Sequence, residues 1–175
     1  AHTLEKKKAS RRDELVRLLT QHHKMATGPA IVYCMRQADT EALAALLRTH
    51  RVDADAYHAG MAKQERRRVQ LSFMKGTLRV VVATIAFGMG LNKADVRAVI
   101  HYHLPKTPEN YVQEIGRAGR DGLPSYCHAF LDDEDLWFTR SHTFSDGVDK
   151  INVRRLLRLV LQVPKQCLEV EAACQ

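Results

Sequence analysis

A chain of 175 residues, 45% of them hydrophobic, is long enough to bury one core and to form one domain. Charged residues make up 27%, and no apolar run is long enough to cross a bilayer, which excludes a membrane-spanning helix. The net charge of +7 at pH 7 favours a polyanionic partner, with nucleic acid ahead of an acidic membrane.

Residues 1–8 lack the apolar stretch of a signal peptide and read as a cut inside a longer protein. Residues 10–25 read as a helix that Ser10 can cap, with Leu15, Leu18, Leu19 and His22 on one side. Gly28-Pro29 stops it. Residues 30–34, Ala-Ile-Val-Tyr-Cys, form a short apolar run of the buried-strand type. Leu43, Leu46 and Leu47 then recur at helical spacing over 37–49.

The alternation continues with a strand at 54–57 and a helix over 62–75, where Val69 and Phe73 stand four apart. A β-branched run fills 79–84, and another strand follows over 97–104. Residues 108–118 read as a helix with Pro108 in its first turn, and 125–131 as the last clear strand. Apolar strands alternating with helices predict an α/β fold: a parallel sheet of five or six strands covered on both faces. Ligands of such sheets bind beyond the carboxyl ends of the strands, here just after Cys34, Tyr57 and Thr84.

After Asp132 the pattern changes to an acidic start and a second helical stretch over 149–163, ended by Pro164. The expected organisation is a linker at 1–9, one lobe over 10–131 and a helical extension over 132–175. Of the four cysteines, Cys34 and Cys127 lie in strand-like runs. With Cys167 and Cys174 they suggest no disulfide framework, so a reducing compartment is expected.

Two segments carry chemistry. In Gln113-Glu-Ile-Gly-Arg-Ala-Gly-Arg-Asp-Gly122, the residues Gln113, Arg117 and Arg120 are spaced to share one face of a helix. Gly116 and Gly119 remove bulk so that another surface can approach. Paired guanidinium groups grip polyphosphate oxygens and stabilise charge in phosphoryl transfer. The plain alternative is a solvated basic helix face. In Val80-Val-Val-Ala-Thr-Ile-Ala-Phe-Gly-Met-Gly-Leu-Asn92, a buried strand ends at Thr84 and opens into a glycine-bearing loop. Gly88 and Gly90 let backbone amides face a phosphate, and the Thr84 hydroxyl can donate to one. The alternative there is an ordinary tight loop.

These segments belong to a longer series. Ile31-Val-Tyr-Cys-Met-Arg36, Ala56-Tyr-His-Ala-Gly-Met61, Arg66-x-x-Val-Gln-x-x-Phe73, Val81-Val-Ala-Thr-Ile-Ala-Phe-Gly-Met-Gly90, Asp95-Val-Arg97 and the 113–122 run resemble, in order, the motifs of the second RecA-like lobe of RecQ helicases. The resemblance covers residues 10–131. The stretch His103-Leu-Pro-Lys-Thr-Pro-Glu-Asn-Tyr-Val-Gln113 looks most like the Rothmund–Thomson branch, the RecQ-like type 4 proteins. One departure is Ala94, where the family usually has proline.

The resemblance implies a RecA-like sheet and a role as one motor lobe of an ATP-dependent DNA helicase in DNA repair and replication. It implies that Arg117 and Arg120 reach the phosphates of ATP bound with Mg2+ mainly by a first RecA-like lobe, with Arg120 as the arginine finger. Gln113, Gly90 and Asn92 belong to the same nucleotide site. Arg36, His58, Thr84 and Met89 track the backbone of one strand of single-stranded or duplex DNA. A nuclear location follows from the sub-branch. A phosphate loop of the form Gly-x-x-x-x-Gly-Lys-Ser/Thr and an Asp-Glu-x-His stretch are both missing from this sequence, so the chain is expected to hydrolyse no ATP by itself. The rival readings are a DEAD-box-like RNA helicase lobe and a non-catalytic nucleic-acid-binding module.

Weaker signals stay with packing. His101 and His103 alternate along a strand but have no ligand-spaced partner, so no metal is assigned. The zinc subdomain that generally follows this lobe in RecQ proteins has Cys-x-x-Cys pairs that are missing here. Trp137-Phe138 and the Arg66-Arg67-Arg68 run read as helix packing and a solvated face, with base stacking and phosphate contact as the alternatives.

Overall fold

The structure, a computed structural model, describes residues 2–88 and 92–131, with side chains from residue 11 onward. The helical extension expected over 132–175, with Trp137-Phe138, Cys167 and Cys174, lies outside the described residues. The elements are α1 (His2–Thr20), β1 (Ala30–Tyr33), α2 (Gln37–Thr49), β2 (Ala54–Tyr57), α3 (Lys63–Lys75), β3 (Val80–Ala83), β4 (Ala98–His101), α4 (Pro108–Ile115) and β5 (Tyr126–Ala129). All the strand pairings are parallel, in the order β2-β3-β1-β4-β5.

Alternation along the strands divides the core in two. Ala30, Val32, Val80, Val82, Ala98 and Ile100 point to one face, where Leu15, Leu18 and Leu19 of α1 and Leu43, Ala44 and Leu47 of α2 cover them. Ile31, Tyr33, Val81, Ala83 and Val99 point to the other, under Val69 and Phe73 of α3 and Ile115 at the end of α4. Helices therefore lie on both faces, and the central strands are buried on both sides, as uninterrupted apolar runs require. Among the described residues, no helix is long and apolar enough to cross a membrane.

Two helices end elsewhere than expected, and the first of them also stops at Thr20, short of the expected residue 25. The first helix runs back to His2, so Ser10 lies inside it and does not cap it. Nothing in residues 3–9 breaks a helix, since neither Gly nor Pro occurs there. At its other end, Arg79 reaches from the start of β3 to donate to the Leu19 carbonyl at 2.5 Å and to the Ala26 carbonyl. A guanidinium beside orphan carbonyls suits a helix C-terminus. The second difference, at α4, concerns the site.

Candidate functional site

The strand register gathers the site at one edge of the sheet. Tyr57, Ala83, Tyr33, His101 and Ala129 stand in one row across the five strands. The chain leaves this row at His58, Thr84, Cys34 and Tyr102, where the ladder continues for one more step: Cys34 N donates to Ala83 O at 2.8 Å and Thr84 N to Tyr57 O at 3.2 Å. Arg36, His58 and Thr84, far apart in sequence, thus come to the same carboxyl edge.

Their environments differ. Arg36 is exposed, in extended backbone at the residue that precedes α2. Thr84 is half-buried, and its carbonyl accepts the Phe87 amide at 3.0 Å in a turn that leads to Gly88. His58 is buried, with Nε2 3.0 Å from Glu41 Oε1 of α2 and its amide 3.4 Å from Met61 Sδ. Burial raises the Cys34 thiol well above its ordinary pKa, so it is a packed thiol and not a nucleophile.

The arginine segment departs from the expected helix. Thr107 caps α4 by accepting the Asn110 amide at 3.2 Å, but the helix stops at Ile115 and Gly116 follows as its C-cap. Arg117 and Arg120 lie in the turns beyond it and do not share a helical face with Gln113. Gly119 adopts φ +61, and a Cβ there would stand 2.6 Å from Ser125 Oγ and 2.9 Å from the Leu123 carbonyl. Its smallness serves the chain's own close turn, not an approaching surface.

The two guanidinium groups part company. Arg120 is exposed, and its Nε donates back to the Gly116 carbonyl at 3.1 Å. Arg117 is 8% exposed, and its Nη1 donates to the Gly88 carbonyl at 2.6 Å. Its Nε is buried and has no hydrogen-bond acceptor among the described residues. Gly88, at φ +121, makes room for this side chain: a Cβ there would collide with the Arg117 guanidinium. The Tyr33 hydroxyl, on the row of strand ends, donates to the Phe87 carbonyl at 3.3 Å. Burial raises its pKa, and the Arg117 guanidinium beside it opposes that rise. The hydroxyl therefore keeps its proton and remains a donor.

Of the other expected residues, Gln113 is exposed on the last turn of α4 and Asn92 is exposed ahead of β4, while Met89 and Gly90 lie outside the described residues. His101 and His103 part: β4 ends at His101, which is fully buried with Nε2 2.8 Å from Glu114 Oε2. His103 lies past the strand and accepts the Met35 amide on Nδ1 at 3.3 Å. Tyr33 and the His101–Glu114 pair were not read from sequence as part of the site. One signal was available, because Glu114 follows Tyr111 by three residues and so shares its inward face of α4.

Comparison with known proteins agrees with this architecture. Residues 10–122 match the family described as the helicase conserved C-terminal domain. The chain is 53% identical over 146 residues to the ATP-dependent DNA helicase Q4 of Homo sapiens, covering 74% of this chain and 12% of that protein. It is 44% identical over 173 residues to the ATP-dependent DNA helicase Q-like 5 of Arabidopsis thaliana, covering 95% of this chain and 19% of that one. The chain thus spans less than a fifth of the length of these curated relatives. Among solved structures, a DEAD box protein from the hyperthermophile Methanococcus jannaschii superposes with a TM-score of 0.68 at 26% identity, covering 93% of this chain and 38% of that one. On its parallel sheet, its ordered motifs and these relatives, the chain belongs to the helicase conserved C-terminal domain family and is a lobe of the RecQ type.

Proposed function

We propose that this chain is the second motor lobe of an ATP-dependent DNA helicase that acts in the repair and replication of nuclear DNA, and that Arg120 is its arginine finger. The observation that carries this reading is the bond from Arg117 to the Gly88 carbonyl. It ties the arginine turn to the loop after β3, the segment whose residues the motif series divides between DNA (Thr84, Met89) and the nucleotide (Gly90, Asn92). A buried guanidinium beside the Gly88 loop fits a site that an anionic group completes. Arg120 stands exposed on the same turn, its Nε bonded to the Gly116 carbonyl.

ATP supplies the phosphoryl transfer, with its phosphates and Mg2+ held mainly by the facing lobe. The residues here close that site from the other side. Arg120 neutralises charge that develops on the transferred phosphoryl group. Arg117 holds the Gly88 loop in place beneath it, and Gln113, Gly90 and Asn92 line the nucleotide side. On the DNA side, Arg36 and Thr84 contact backbone phosphates alongside Met89. His58, buried against Glu41, shapes its loop at the same edge. Because the grip is on phosphate, sequence preference is slight and salt dependence steep.

In the protein that joins this lobe to a phosphate-loop lobe, Arg120→Ala should lower the kcat of DNA-stimulated ATP hydrolysis about 10³-fold or more, the usual contribution of an arginine finger. KM for ATP should change little, since the contact matters most in the transition state. An unchanged kcat would reject Arg120 as the finger. Unwinding assays with DNA and RNA duplexes separate this reading from the DEAD-box alternative, and faster unwinding of RNA would overturn it.

A further inference from the structure

We infer that Glu114 and His101 are positioning residues for the arginine turn, acting through a closed ring of contacts that fixes Arg117 and Arg120 before nucleotide arrives. The inference rests on the proposed role of Arg120.

The ring begins with a buried pair. Glu114 is 4% exposed and His101 not at all, and their Oε2 and Nε2 lie 2.8 Å apart. A carboxylate only accepts, so the imidazole Nε2–H donates, and the bond defines the ring tautomer. Two tyrosines hold the imidazole. Tyr33 stacks on it with centroids 5.6 Å apart, and Tyr111 packs against it at 4.9 Å. A carboxylate this deep in a short helix is costly unless paired. Its placement therefore commits the end of α4 to one position over β4.

Both ends of Arg117 trace back to this pair. The Glu114 carbonyl accepts the Arg117 amide at 3.3 Å, so the residue whose side chain is anchored on His101 also starts the arginine turn. At the other end, Tyr33, stacked on His101, donates to the Phe87 carbonyl, and the next carbonyl, that of Gly88, accepts Arg117 Nη1 at 2.6 Å. Arg120 then bonds back to Gly116 at 3.1 Å, inside the same turn. The ring thus joins α4, β4, β1 and the loop after β3 without either residue touching the nucleotide. Glu114 and His101 act through the arginines.

A role in positioning depends on reach, whereas a role in charge depends on the carboxylate. Glu114→Asp keeps the charge but is one methylene shorter, which opens the contact by about 1.5 Å, beyond hydrogen-bond range. Glu114→Gln keeps the reach and an acceptor oxygen but loses the charge. In the two-lobe protein, Glu114→Asp should lower kcat of DNA-stimulated ATP hydrolysis about tenfold to a hundredfold, the scale of an ångström-sized misplacement. KM for ATP and the affinity for single-stranded DNA should stay within about twofold. Glu114→Gln should recover most of the lost kcat. Combined with Arg120→Ala, Glu114→Asp should add little further loss, since the two act as one unit.

An aspartate variant with wild-type kcat, a glutamine variant worse than the aspartate, or losses that simply multiply in the double variant would each overturn the inference while leaving the Arg120 assignment standing. Arg120→Ala with unchanged kcat would remove that assignment and this inference with it.

Discussion

Gly88 shows how one missing methyl group shapes the site. Its φ of +121 lies where a residue with a side chain is strained by about 1–3 kcal/mol. Its Cβ position is already taken by the Arg117 guanidinium. Gly76, which caps α3 at φ +78, has nothing near its own Cβ position. Alanine at Gly76 should therefore cost only the backbone term, about 1–2 kcal/mol. Alanine at Gly88 should cost at least about 1 kcal/mol more, because it must also displace a buried charged side chain. Urea unfolding of the two variants measures the difference, and equal losses would mean that Arg117 is not lodged beneath Gly88. From sequence alone Gly88 reads as room for a phosphate against backbone amides. In the fold the same smallness admits a side chain from a distant turn, and no local pattern carries that information.

Sequence periodicity misjudged both ends of α1 and the end of α4, the helix that leads into the arginine turn. Gln113, Arg117 and Arg120 match a helical period, and the sequence reading carries α4 to residue 118. The helix ends at Ile115 because Gly116 weakens it and Gly119 turns the chain at positive φ. The strands, by contrast, were legible to within a residue or two at most ends, because fully apolar runs bounded by turns have few other fates. Beyond Gly119 the segment crosses to the amino edge of the sheet. Gly119 N donates to Val96 O at 2.9 Å and Asp121 N to Ala94 O at 3.3 Å, while Arg97 pairs with Asp121 and donates to Pro124 O at 3.1 Å. The Arg97 guanidinium holds the Asp121 carboxyl below its ordinary pKa. A carboxyl lowered by folding adds stability that is fully present above its unfolded value of about 3.9 and is lost as pH falls through the folded one. The wild-type chain should thus exceed Asp121→Asn in urea midpoint at pH 7, and that margin should shrink progressively as pH falls below about 3.9. A margin that persists at low pH would mean that the ion pair does not anchor this segment.

At the scale of the whole chain, the sheet divides two half-cores and brings Arg36, His58 and Thr84 to one edge. Arg36, Thr84 and the Gly88 loop follow strand ends that stand in register, and the arginine turn beyond α4 meets them through the Arg117–Gly88 bond. That convergence was foreseeable from the rule for parallel sheets. Which side chains meet there was not, because the His101–Glu114 contact needs α4 folded back over β4 and the Arg117–Gly88 contact joins two turns distant in the chain. Among the described residues no three His, Cys, Asp or Glu side chains cluster. The sequence also contains no phosphate-loop motif. An arginine finger stabilises charge on a triphosphate that something else must bind and align, and alignment is most of the catalysis in phosphoryl transfer. The 175-residue chain alone should therefore show no ATP turnover above background, with or without single-stranded DNA, in a phosphate-release assay. Turnover by the purified chain that Arg120→Ala abolishes would show that this lobe holds a complete site, and the division of labour between two lobes would be wrong.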